Sequence, residues 1–544
     1  MAKTARVRAP DLIGRGGWIN TSQPLTLDRL RGQVVLLDFW TFCCINCLRV
    51  IEELRELEDR FGDRLVVIGV HSPKFPHEAD HAAVERAVRR HRITHPVLDD
   101  PDMETWQRYG VRAWPTLVVI DPEGYLVAAA SGEGNGAAFS ELMEKLLEGT
   151  PLPDTPAYEL PSALSGGELA YPGKVASDGA SRLAIADTGH DRVIVCTLEG
   201  ELLASFEGLH QPQGIRFDGD RLLVCDTVSG QVLSIDIDSG QRRALATRLH
   251  SPWDVVRVDG GIIVAEAGLH RLLRVADENG QISVLAGSRA EGLRDGPALQ
   301  AHLAQPSGLT LLEDGAVAFA DSEVSALRIL RDGVVETLVG KGLFEWGADD
   351  GDGERARLQH PLGVAAMHDG GIAIADTFNS GVRIWSDGVV RTLSLDDALD
   401  EPGGIDVLPD GRLVVADTNH HRVVTVDPES GHVHELPVGA AVELRGEHAS
   451  TVSVPLRLDL DGEALDSAQG PPVRVTISAD PATLLGPGPR SWAFETIPDD
   501  LSVGLGRPGD GVLSVEVVAA TCHGDVCTIR RATRQHRLRV EARG

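Results

Sequence analysis

Aromatic residues, cysteines and long apolar segments are all scarce in this chain. Aromatic residues make up 4% of its 544 residues while glycine occurs 59 times, a combination that favours turn-rich β structure over much of the length. Seven cysteines make no disulfide framework, and their odd number agrees with a reducing compartment. No run of residues is long and apolar enough to cross a bilayer, and residues 1–14 lack the apolar segment of a secretory signal. These absences predict a cytoplasmic protein with no membrane partner.

Positive charge is in short supply as well. Lys and Arg total 51 against 81 Asp and Glu, which gives a formal net charge of −30. A surface with this charge repels nucleic acid and anionic lipid, so we expect neither as a partner and favour a protein ligand instead. The length exceeds what one hydrophobic core can serve and predicts roughly three or four domains. None of these properties specifies an oligomeric state.

Residues 1–150 alternate the signals of strands and helices. We predict strands over 34–39, 65–70, 115–121 and 125–130, and helices over 48–61, 81–91 and 137–147. This order is typical of a mixed α/β sheet with helices on both faces. A proline-rich stretch, residues 151–164, follows and predicts a linker.

Residues 165–440 contain an internal repeat. Each copy has a proline, an apolar strand and an acidic residue 14 or 15 positions after the proline. The prolines are Pro172, Pro212, Pro252, Pro306, Pro361 and Pro402, and the acids are Asp187, Asp226, Glu266, Asp321, Asp376 and Asp417. A repeat of about 40 residues with several short strands is typical of a propeller blade, so six copies predict a six-bladed β-propeller. We interpret the acids as groups that close turns or pair with arginine, rather than as ligands. The third and fourth copies each carry an extra loop, before Pro306 and before Pro361.

Residues 445–544 alternate apolar and polar positions without helical periodicity. We predict strands over 451–460, 473–477, 513–519 and 536–541, and a small β-sandwich built from them. Near its end this region carries a second close pair of cysteines, Cys522 and Cys527. The chain as a whole is thus predicted to combine an α/β domain, an all-β propeller and a C-terminal β-sandwich.

The sequence Cys43-Cys44-Ile45-Asn46-Cys47 joins an apolar strand to an amphipathic helix. A thiol at a helix N-terminus lies beside unpaired N–H groups and the positive end of the helix dipole, which favour the thiolate. Since the thiolate attacks disulfides, Cys44 and Cys47 are the candidate nucleophile and its partner.

This region resembles the thioredoxin family, in particular its TlpA-type thiol–disulfide oxidoreductases. The resemblance rests on the strand, on Trp40, on the Cys44-x-x-Cys47 motif and on the helix that follows it. The resemblance implies that Cys44 attacks, that Cys47 resolves the mixed disulfide, and that Asp38 assists proton transfer at Cys47. It also implies a cis peptide bond before Pro115, which would shape the substrate groove beside Trp114. Cys43 stands where the family usually has tryptophan, and Ile45-Asn46 replaces Gly-Pro, so Cys43, Trp40 and Trp114 are expected to modulate the site.

The blades resemble the NHL repeat. Together with the cysteine motif and the C-terminal β region, they make the chain similar to the NHL repeat-containing protein 2 family, as a bacterial relative. Cys522 and Cys527 weakly resemble the cysteine pair of the sandwich domain that relays electrons in bacterial thiol–disulfide interchange proteins. They are therefore a possible second redox pair, with two unrelated thiols or a static bridge as the alternative.

Three functions remain open at this point. The first is dithiol exchange at Cys44 and Cys47, with the propeller and sandwich recognising a protein partner and no cofactor required. The second is a non-catalytic interaction scaffold that keeps the thioredoxin shape, since a fold does not fix a function. The third is a metal-dependent hydrolase or lyase that uses His210, His250 and His360 near the blade prolines as channel ligands. A zinc site at the cysteine motif would need four ligands, and only His71 could join the three cysteines there.

Overall fold

The computed structural model describes residues 6–148, 168–438, 444–447, 450–456, 464–465, 471–498, 500–523 and 526–542. The predicted linker, residues 151–164, lies outside these residues, and the domain boundaries stay predictions. Two compact units make up the chain. The larger holds the α/β sheet and most of the blade sheets, and the smaller holds the C-terminal β region together with residues 196–204 and 235–243. Within the described part of the chain, no helix has the length and apolar character needed to cross a membrane.

The N-terminal α/β domain is a mixed six-stranded sheet with four α-helices. Its strands are β1 (Gly17–Ile19), β2 (Val34–Trp40), β3 (Leu65–His71), β4 (Val97–Asp99), β5 (Thr116–Ile120) and β6 (Leu126–Ser131), and its helices are α1 (Ile45–Phe61), α2 (His81–Arg90), α3 (Glu104–Arg108) and α4 (Gly136–Leu147). The strand order is β1-β4-β3-β2-β5-β6, with β2 parallel to β3 and antiparallel to β5. The prediction missed the short elements β1, β4 and α3.

Strand β2 lies at the centre of this sheet and ends at the cysteine motif. All seven of its residues are buried, as expected for a strand that is covered on both faces. Helix α1 begins at Ile45, directly after the Cys44 N-cap, and ends before Gly62, whose positive φ of 53° suits glycine. Its buried residues recur at helical spacing and include Cys47, Val50, Leu54 and Phe61. The strand–turn–helix unit therefore fixes the motif at the carboxyl edge of the sheet.

The described residues 168–438 form six sheets of four or five strands, as the repeat predicts. Blade 1 comprises Val175–Ser177, Arg182–Asp187, Arg192–Thr197 and Leu202–Phe206; blade 2 comprises Pro212–Asp218, Arg221–Asp226, Gln231–Asp236 and Arg242–Ala246; blade 3 comprises Pro252–Val258, Gly261–Glu266, Arg271–Ala276 and Ile282–Ala286; blade 4 comprises Pro306–Leu311, Val317–Asp321, Ala326–Arg331 and Val334–Val339; blade 5 comprises Gly363–Ala366, Ile372–Asp376, Gly381–Ser386 and Val389–Thr392; and blade 6 comprises Pro402–Val407, Leu413–Asp417, Arg422–Val426 and Val433–Leu436. The first strand of each blade lies beside that of the next, and the first strand of blade 6 lies beside that of blade 1. The six blades therefore close into a ring.

The repeated acids hold the blade turns together, as the sequence analysis proposes. Each acid ends the second strand of its blade and accepts a hydrogen bond from the backbone N–H that lies two residues before the blade proline. Most also pair with an arginine on the next strand, as Asp321 does with the fully buried Arg328 at 2.8 Å. A carboxylate with these partners closes a turn, which is a structural role.

The extra loops extend the fourth and fifth sheets. The prediction counts them with the third and fourth repeat copies, but each pairs as a short fifth strand with the blade that follows it: Gly296–Pro297 with blade 4 and Gly351–Asp352 with blade 5. Asp295 Oδ1 accepts from Arg328 Nη2 at 2.8 Å, and Asp350 Oδ1 accepts from Arg383 Nη2 at 2.6 Å. The loops thus supply a second carboxylate to a buried blade arginine.

Side-chain hydroxyls connect neighbouring blades and complete the ring. In four blades the threonine after the blade acid donates to the carbonyl of the next blade's proline. The last of these four, Thr418 in blade 6, donates from Oγ1 to the Pro172 carbonyl at 2.8 Å. This last bond joins the end of the propeller to its start across 246 residues of chain.

Thr418→Val should weaken this closure by about 1–2 kcal/mol, because it leaves a buried carbonyl without its donor. Urea unfolding followed by circular dichroism measures the loss. Thr425→Val is the control, because the buried Thr425 hydroxyl accepts a long and therefore weak hydrogen bond of 3.4 Å from Arg412 Nη1. This variant should lose less than half as much free energy of unfolding as Thr418→Val. Equal effects from the two variants would contradict the role of the Pro172 bond.

Among the described residues of the C-terminal region, the regular elements are strands and a single 3₁₀ turn at Ala482–Leu484. The described strands are Leu444–Glu447, Thr451–Pro455, Ala464–Leu465, Val473–Asp480, Ser491–Phe494, Asp500–Gly504, Gly509–His523 and Val526–Glu541. Thr451–Pro455 and Asp500–Gly504 form a two-stranded sheet, and the others form a larger sheet. Val454 and Val503 from the small sheet share a core with Val475 and Val515 from the large one, which is the packing of a sandwich. The last two strands are far longer than predicted.

Candidate functional site

Cys44 and Cys47 occupy the start of helix α1, and both are free thiols. Cys44 is the N-cap, and its Sγ accepts a hydrogen bond from the Cys47 N–H at 3.3 Å. Cys47 is fully buried, and 6% of the Cys44 surface is exposed. Burial raises the pKa of the Cys47 thiol well above its ordinary value, and Cys44 and Asp38 add to that rise. The pair therefore has the arrangement of an outer thiol and a protonated inner thiol.

Asp38 lies fully buried in strand β2, behind the cysteine pair. Neither of its carboxyl oxygens has a hydrogen-bond partner among the described residues. Burial raises the pKa of Asp38 to about 8, so the carboxyl is protonated at neutral pH and can exchange a proton near that value. A group with these properties suits proton transfer to and from Cys47.

The aromatic residues predicted to modulate the site lie around it. The Trp114–Pro115 peptide bond is cis, as the resemblance implies, and Trp114 Nε1 donates to the Ser72 carbonyl at 2.9 Å. Trp40 is fully buried at the end of β2 and packs edge-on against His71, with ring centroids 5.1 Å apart. Burial lowers the pKa of His71 to about 3, so the ring is neutral.

Cys43 is held by a carboxylate that the sequence analysis did not single out. Its N–H donates to Glu78 Oε1 at 2.8 Å, and the Thr41 hydroxyl donates to the same oxygen at 2.6 Å. Glu78 is fully buried, and its other oxygen accepts from the backbone N–H of Lys74 and Phe75. Burial, followed by Glu323 and Glu78, raises the pKa of Cys43 well above its ordinary value. Cys43 is thus a neutral, fixed thiol beside the pair.

The propeller covers this edge of the α/β domain with apolar side chains. Ile45, between the two cysteines of the pair, packs with Trp253 and Ala267 from blade 3. Phe42 meets Phe378 of blade 5 edge-to-face, with ring centroids 5.5 Å apart. Further along, Phe75 contacts the Phe378, His360 and Trp346 rings. Burial of large aromatic groups of this kind is a strong source of association energy.

Buried charges join the same two surfaces. Glu401 of blade 6 accepts from Arg90 at 2.7 Å and contacts His77 Nε2 at 2.8 Å. Burial alone would raise the pKa of Glu401, but Arg90 and His77 outweigh it and lower the pKa to about 2. Lys74 pairs with the fully buried Glu323 of blade 4. The docked surfaces are therefore joined by paired charges as well as by apolar contacts.

The propeller presents these contacts through a ring of residues that directly precede the blade prolines. We call it the pre-proline ring, and its members are Tyr171, Gln211, Ser251, Gln305, His360 and Glu401. All six are non-glycine residues with φ between 48° and 62°. Left-handed backbone costs such residues about 1–2 kcal/mol each. Strain repeated at six equivalent positions indicates that the surrounding structure enforces it for a purpose.

A second set of side chains fixes the backbone of the pre-proline ring. In five of its six positions the N–H donates to a side chain from the preceding blade, for example Gln305 N to His270 Nδ1 at 3.2 Å and Glu401 N to Ser380 Oγ at 3.3 Å. The ring side chains are thereby directed at the α/β domain. Gln305 Oε1 accepts from the Ile45 N–H, the first of helix α1, at 3.1 Å, and Gln211 Nε2 donates to Glu52 Oε1 at 3.2 Å.

The candidate metal ligands do not come together. His210 Nδ1 bonds the Ser229 hydroxyl, His250 Nδ1 bonds Glu133, and His360 is stacked on Phe378 with ring centroids 4.5 Å apart. Among the residues that the structure describes, no three His, Cys, Asp or Glu side chains are grouped so as to hold a metal ion.

Charged side chains fill the centre of the propeller. Lys174 of blade 1 lies 3.7 Å from Asp254 of blade 3 and donates to the Leu362 carbonyl at the start of blade 5. Arg216 of blade 2 pairs with Asp406 of blade 6 at 3.2 Å. These bonds cross the ring, so the channel is closed by ion pairs instead of lined by free ligands.

The second cysteine pair lies in the C-terminal hairpin. Cys522 on Gly509–His523 stands directly opposite Cys527 on Val526–Glu541 in the strand register. The side chains of this hairpin tip lie outside the described part of the structure, so their redox role stays a prediction.

Known proteins share this combination of elements. A family model described as "Thioredoxin-like" matches residues 32–126, and one described as "NHL repeat" matches residues 399–425. Protein SUPPRESSOR OF QUENCHING 1, chloroplastic, from Arabidopsis thaliana is 33% identical over 522 residues, which cover 83% of this chain and 49% of the plant protein. The chain thus spans about half the length of that relative. NHL repeat-containing protein 2 from Gallus gallus is 32% identical over 517 residues, which cover 79% of this chain and 71% of the chicken protein. Thiol-disulfide oxidoreductase YkuV from Bacillus subtilis is 28% identical over 133 residues, 24% of this chain and 88% of YkuV.

Proposed function

We propose that this chain, which belongs to the NHL repeat-containing protein 2 family, is a thiol–disulfide oxidoreductase whose Cys44–Cys47 pair is kept closed by its own propeller. The observation that carries the proposal is the convergence of three features at one place: Cys44 at the N-cap of α1, Cys47 one turn inside, and Asp38 behind it. Each has a separate part in exchange chemistry, and chance would not bring them together.

The proposed reaction has two steps. The Cys44 thiolate attacks one sulfur of a substrate disulfide, which forms a mixed disulfide and releases the other substrate sulfur as a thiolate. Asp38 first releases its own proton, which happens more often as pH rises toward its pKa of about 8, and the resulting carboxylate takes the proton of Cys47. Cys47 then attacks the Cys44 sulfur, which releases the second substrate thiolate. The chain is left with a Cys44–Cys47 disulfide, and two electrons have passed to the substrate.

A variant that lacks Cys47 should stop after the first step. In a Cys43→Ser/Cys47→Ser chain treated with glutathione disulfide, we expect a stable adduct of one glutathione on Cys44, visible by intact mass spectrometry. The Cys43→Ser chain is the matched control: Cys47 should resolve its adduct and leave an internal disulfide. The oxidoreductase proposal fails if peptide mapping under native conditions finds neither a glutathione adduct on Cys44 in the first chain nor a Cys44–Cys47 disulfide in the second.

A non-catalytic scaffold is the second candidate, and one observation favours it. Only 6% of Cys44 is exposed, because the propeller covers the face through which a protein substrate would approach. In a scaffold, the docked surfaces would serve only to hold the two domains together, and the cysteine pair would be part of the packing. The glutathione experiment separates the two candidates, because a packing role requires no adduct at Cys44 and no disulfide.

A further inference from the structure

One residue of the pre-proline ring reaches the start of the helix that carries the cysteine pair. Gln305, at the start of blade 4, is 3% exposed, and its Oε1 accepts a hydrogen bond of 3.1 Å from the Ile45 N–H, the first of helix α1. Ile45 directly follows Cys44, the N-cap of the helix. A propeller side chain is therefore placed next to the candidate nucleophile.

A second partner fixes the orientation of the Gln305 side chain. Its Nε2 donates to Oε1 of the buried Glu323 at 3.1 Å. An amide nitrogen can only donate and a carboxylate can only accept, so the oxygen of the carboxamide must face Ile45. Glu323 in turn pairs with Lys74 of the α/β domain. The negative end of the carboxamide dipole is thus held at the N-terminus of α1.

The backbone of Gln305 is bonded on both sides. Its N–H donates to His270 Nδ1 at 3.2 Å, and its carbonyl accepts from the Ser322 hydroxyl at 2.8 Å. Every polar group of Gln305 therefore has a partner, at a φ of 62° that is unfavourable for glutamine. A buried polar group whose bonds are all made is held in one arrangement, so the contact with Ile45 is a preset feature of the docked chain.

Two acceptors share the positive end of helix α1. Cys44 Sγ accepts from the Cys47 N–H at 3.3 Å, and Gln305 Oε1 accepts from the Ile45 N–H. The N–H groups at a helix start stabilise negative charge, and an acceptor on one of them withdraws part of that stabilisation. Because a thiol and a disulfide carry no charge, Gln305 opposes only the thiolate form of Cys44.

We propose that Gln305 is a positioning residue that makes the docked Cys44–Cys47 pair a stronger reductant. A dithiol whose reduced form is stabilised is a strong oxidant, so a dithiol whose thiolate is opposed gives up its electrons more readily. In this way the propeller favours electron flow from the pair to a partner disulfide. The inference rests on the dithiol exchange proposed above.

The redox equilibrium of the full chain with glutathione tests this inference in a Cys43→Ser background. Two electrons pass from Cys44 and Cys47 to glutathione disulfide: the Cys44–Cys47 bond forms, the glutathione S–S bond breaks, and the two protons of the protein thiols go to the two glutathione sulfurs or to solvent. Peptide mass spectrometry after acid quenching and alkylation measures the oxidised fraction.

Gln305→Met keeps the length of the side chain but presents no amide oxygen. At about pH 9.5, where thiolates predominate among ordinary cysteines, we expect it to lower the equilibrium constant for oxidation of the pair by about three- to tenfold, which corresponds to about 14–30 mV. At about pH 6.5, where ordinary cysteines are thiols, the variant and native chains should have nearly the same constant.

Gln211→Met is the matched control. Gln211 belongs to the same ring, with a φ of 48°, but its Nε2 donates at 3.2 Å to Glu52 Oε1 farther along α1. This variant loses a docked contact without touching the Ile45 N–H, so its equilibrium constant should stay at the native value at both pH values. Gln305→Asn is a second test, because asparagine tolerates positive φ and its shorter side chain withdraws the oxygen from Ile45. It should shift the equilibrium in the same direction as Gln305→Met.

Three results would overturn the role of Gln305: variants at this position that match the native chain, an equal shift in Gln211→Met, or a shift of the same size at both pH values. A purely structural contact would not follow the charge on the Cys44 sulfur. Failure of the proposed function gives a different result, because the native chain itself would then form no Cys44–Cys47 disulfide in any glutathione buffer.

Discussion

Glu401→Gln should raise the rate at which a maleimide labels Cys44 by about 30- to 150-fold. With 6% of its surface exposed, Cys44 can be labelled only when the α/β domain separates from the propeller. In the docked state, Glu401 neutralises Arg90 at 2.7 Å and bonds His77. In the docked state of the variant, the neutral amide leaves the buried Arg90 guanidinium without a counter-charge. In the open state water solvates Arg90, so the variant favours the open state. A shift of about 2–3 kcal/mol toward the open state follows, and each 1.4 kcal/mol corresponds to a tenfold change in labelling.

Labelling is followed by peptide mass spectrometry in a Cys43→Ser/Cys47→Ser background, in which Cys44 is the one cysteine left between Arg31 and Arg49. Glu144→Gln is the matched control, because it breaks an exposed ion pair between α4 and Arg60 of α1 without touching the docked face. Exposed pairs contribute about 0–1 kcal/mol, so this variant should label at close to the native rate. Native and Glu401→Gln chains that label at the same rate would contradict the proposed closure.

The lowered pKa of Glu401 determines how the docking of the α/β domain on the propeller depends on pH. A carboxyl whose folded pKa is about 2 stabilises the docked state fully above its unfolded value near 4.3, and this contribution is lost as pH falls through 2. The ratio of labelling rates between Glu401→Gln and native chains should therefore stay constant across neutral and alkaline pH. A ratio that falls sharply above neutral pH would assign the effect to another group.

The sequence could predict those parts of the molecule that depend on neighbours along the chain. The strand–turn–helix unit around Cys44 follows from local apolar patterning and a capping position, and the six blades follow from the regular spacing of proline and acid. The short elements β1, β4 and α3 escaped, because three to five residues are too few to show a period.

The closure of the site could not be predicted in this way. The bond from the Ile45 N–H to Gln305 joins residues 260 positions apart, and it requires Gln305 to adopt a positive φ that sequence patterns normally assign to glycine. The sequence nevertheless contains one feature that points to this contact. The residue before each blade proline is polar or aromatic in all six copies, and a position with that character in every blade is a candidate for facing a partner. Recognising the partner as the chain's own α/β domain required the structure.

Asp38→Asn should stabilise the α/β domain, and the gain should grow as pH rises. The folded pKa of Asp38 is about 8 while an unfolded aspartate titrates near 3.9, so between these values the folded chain holds a proton that the unfolded chain has released. Stability of the native chain then falls by about 1.4 kcal/mol per pH unit from roughly pH 4 to pH 8 and levels off above. The amide does not titrate, so the variant lacks this slope.

The slope can be measured by hydrogen exchange of the amides in strand β2 at several pH values between 5 and 9, which reports on opening of this domain within the intact chain. At pH 8 we expect the variant to be more stable by roughly 4–5 kcal/mol, an upper bound because the buried amide must also find partners. Asp102→Asn, on the exposed surface beside Arg15, should keep the native slope. If Asp38→Asn kept that slope too, the carboxyl would be ionised in the folded protein at neutral pH. Asp38 could then accept the Cys47 proton without first losing one of its own. The rate at which Cys47 resolves the mixed disulfide would therefore not rise near pH 8.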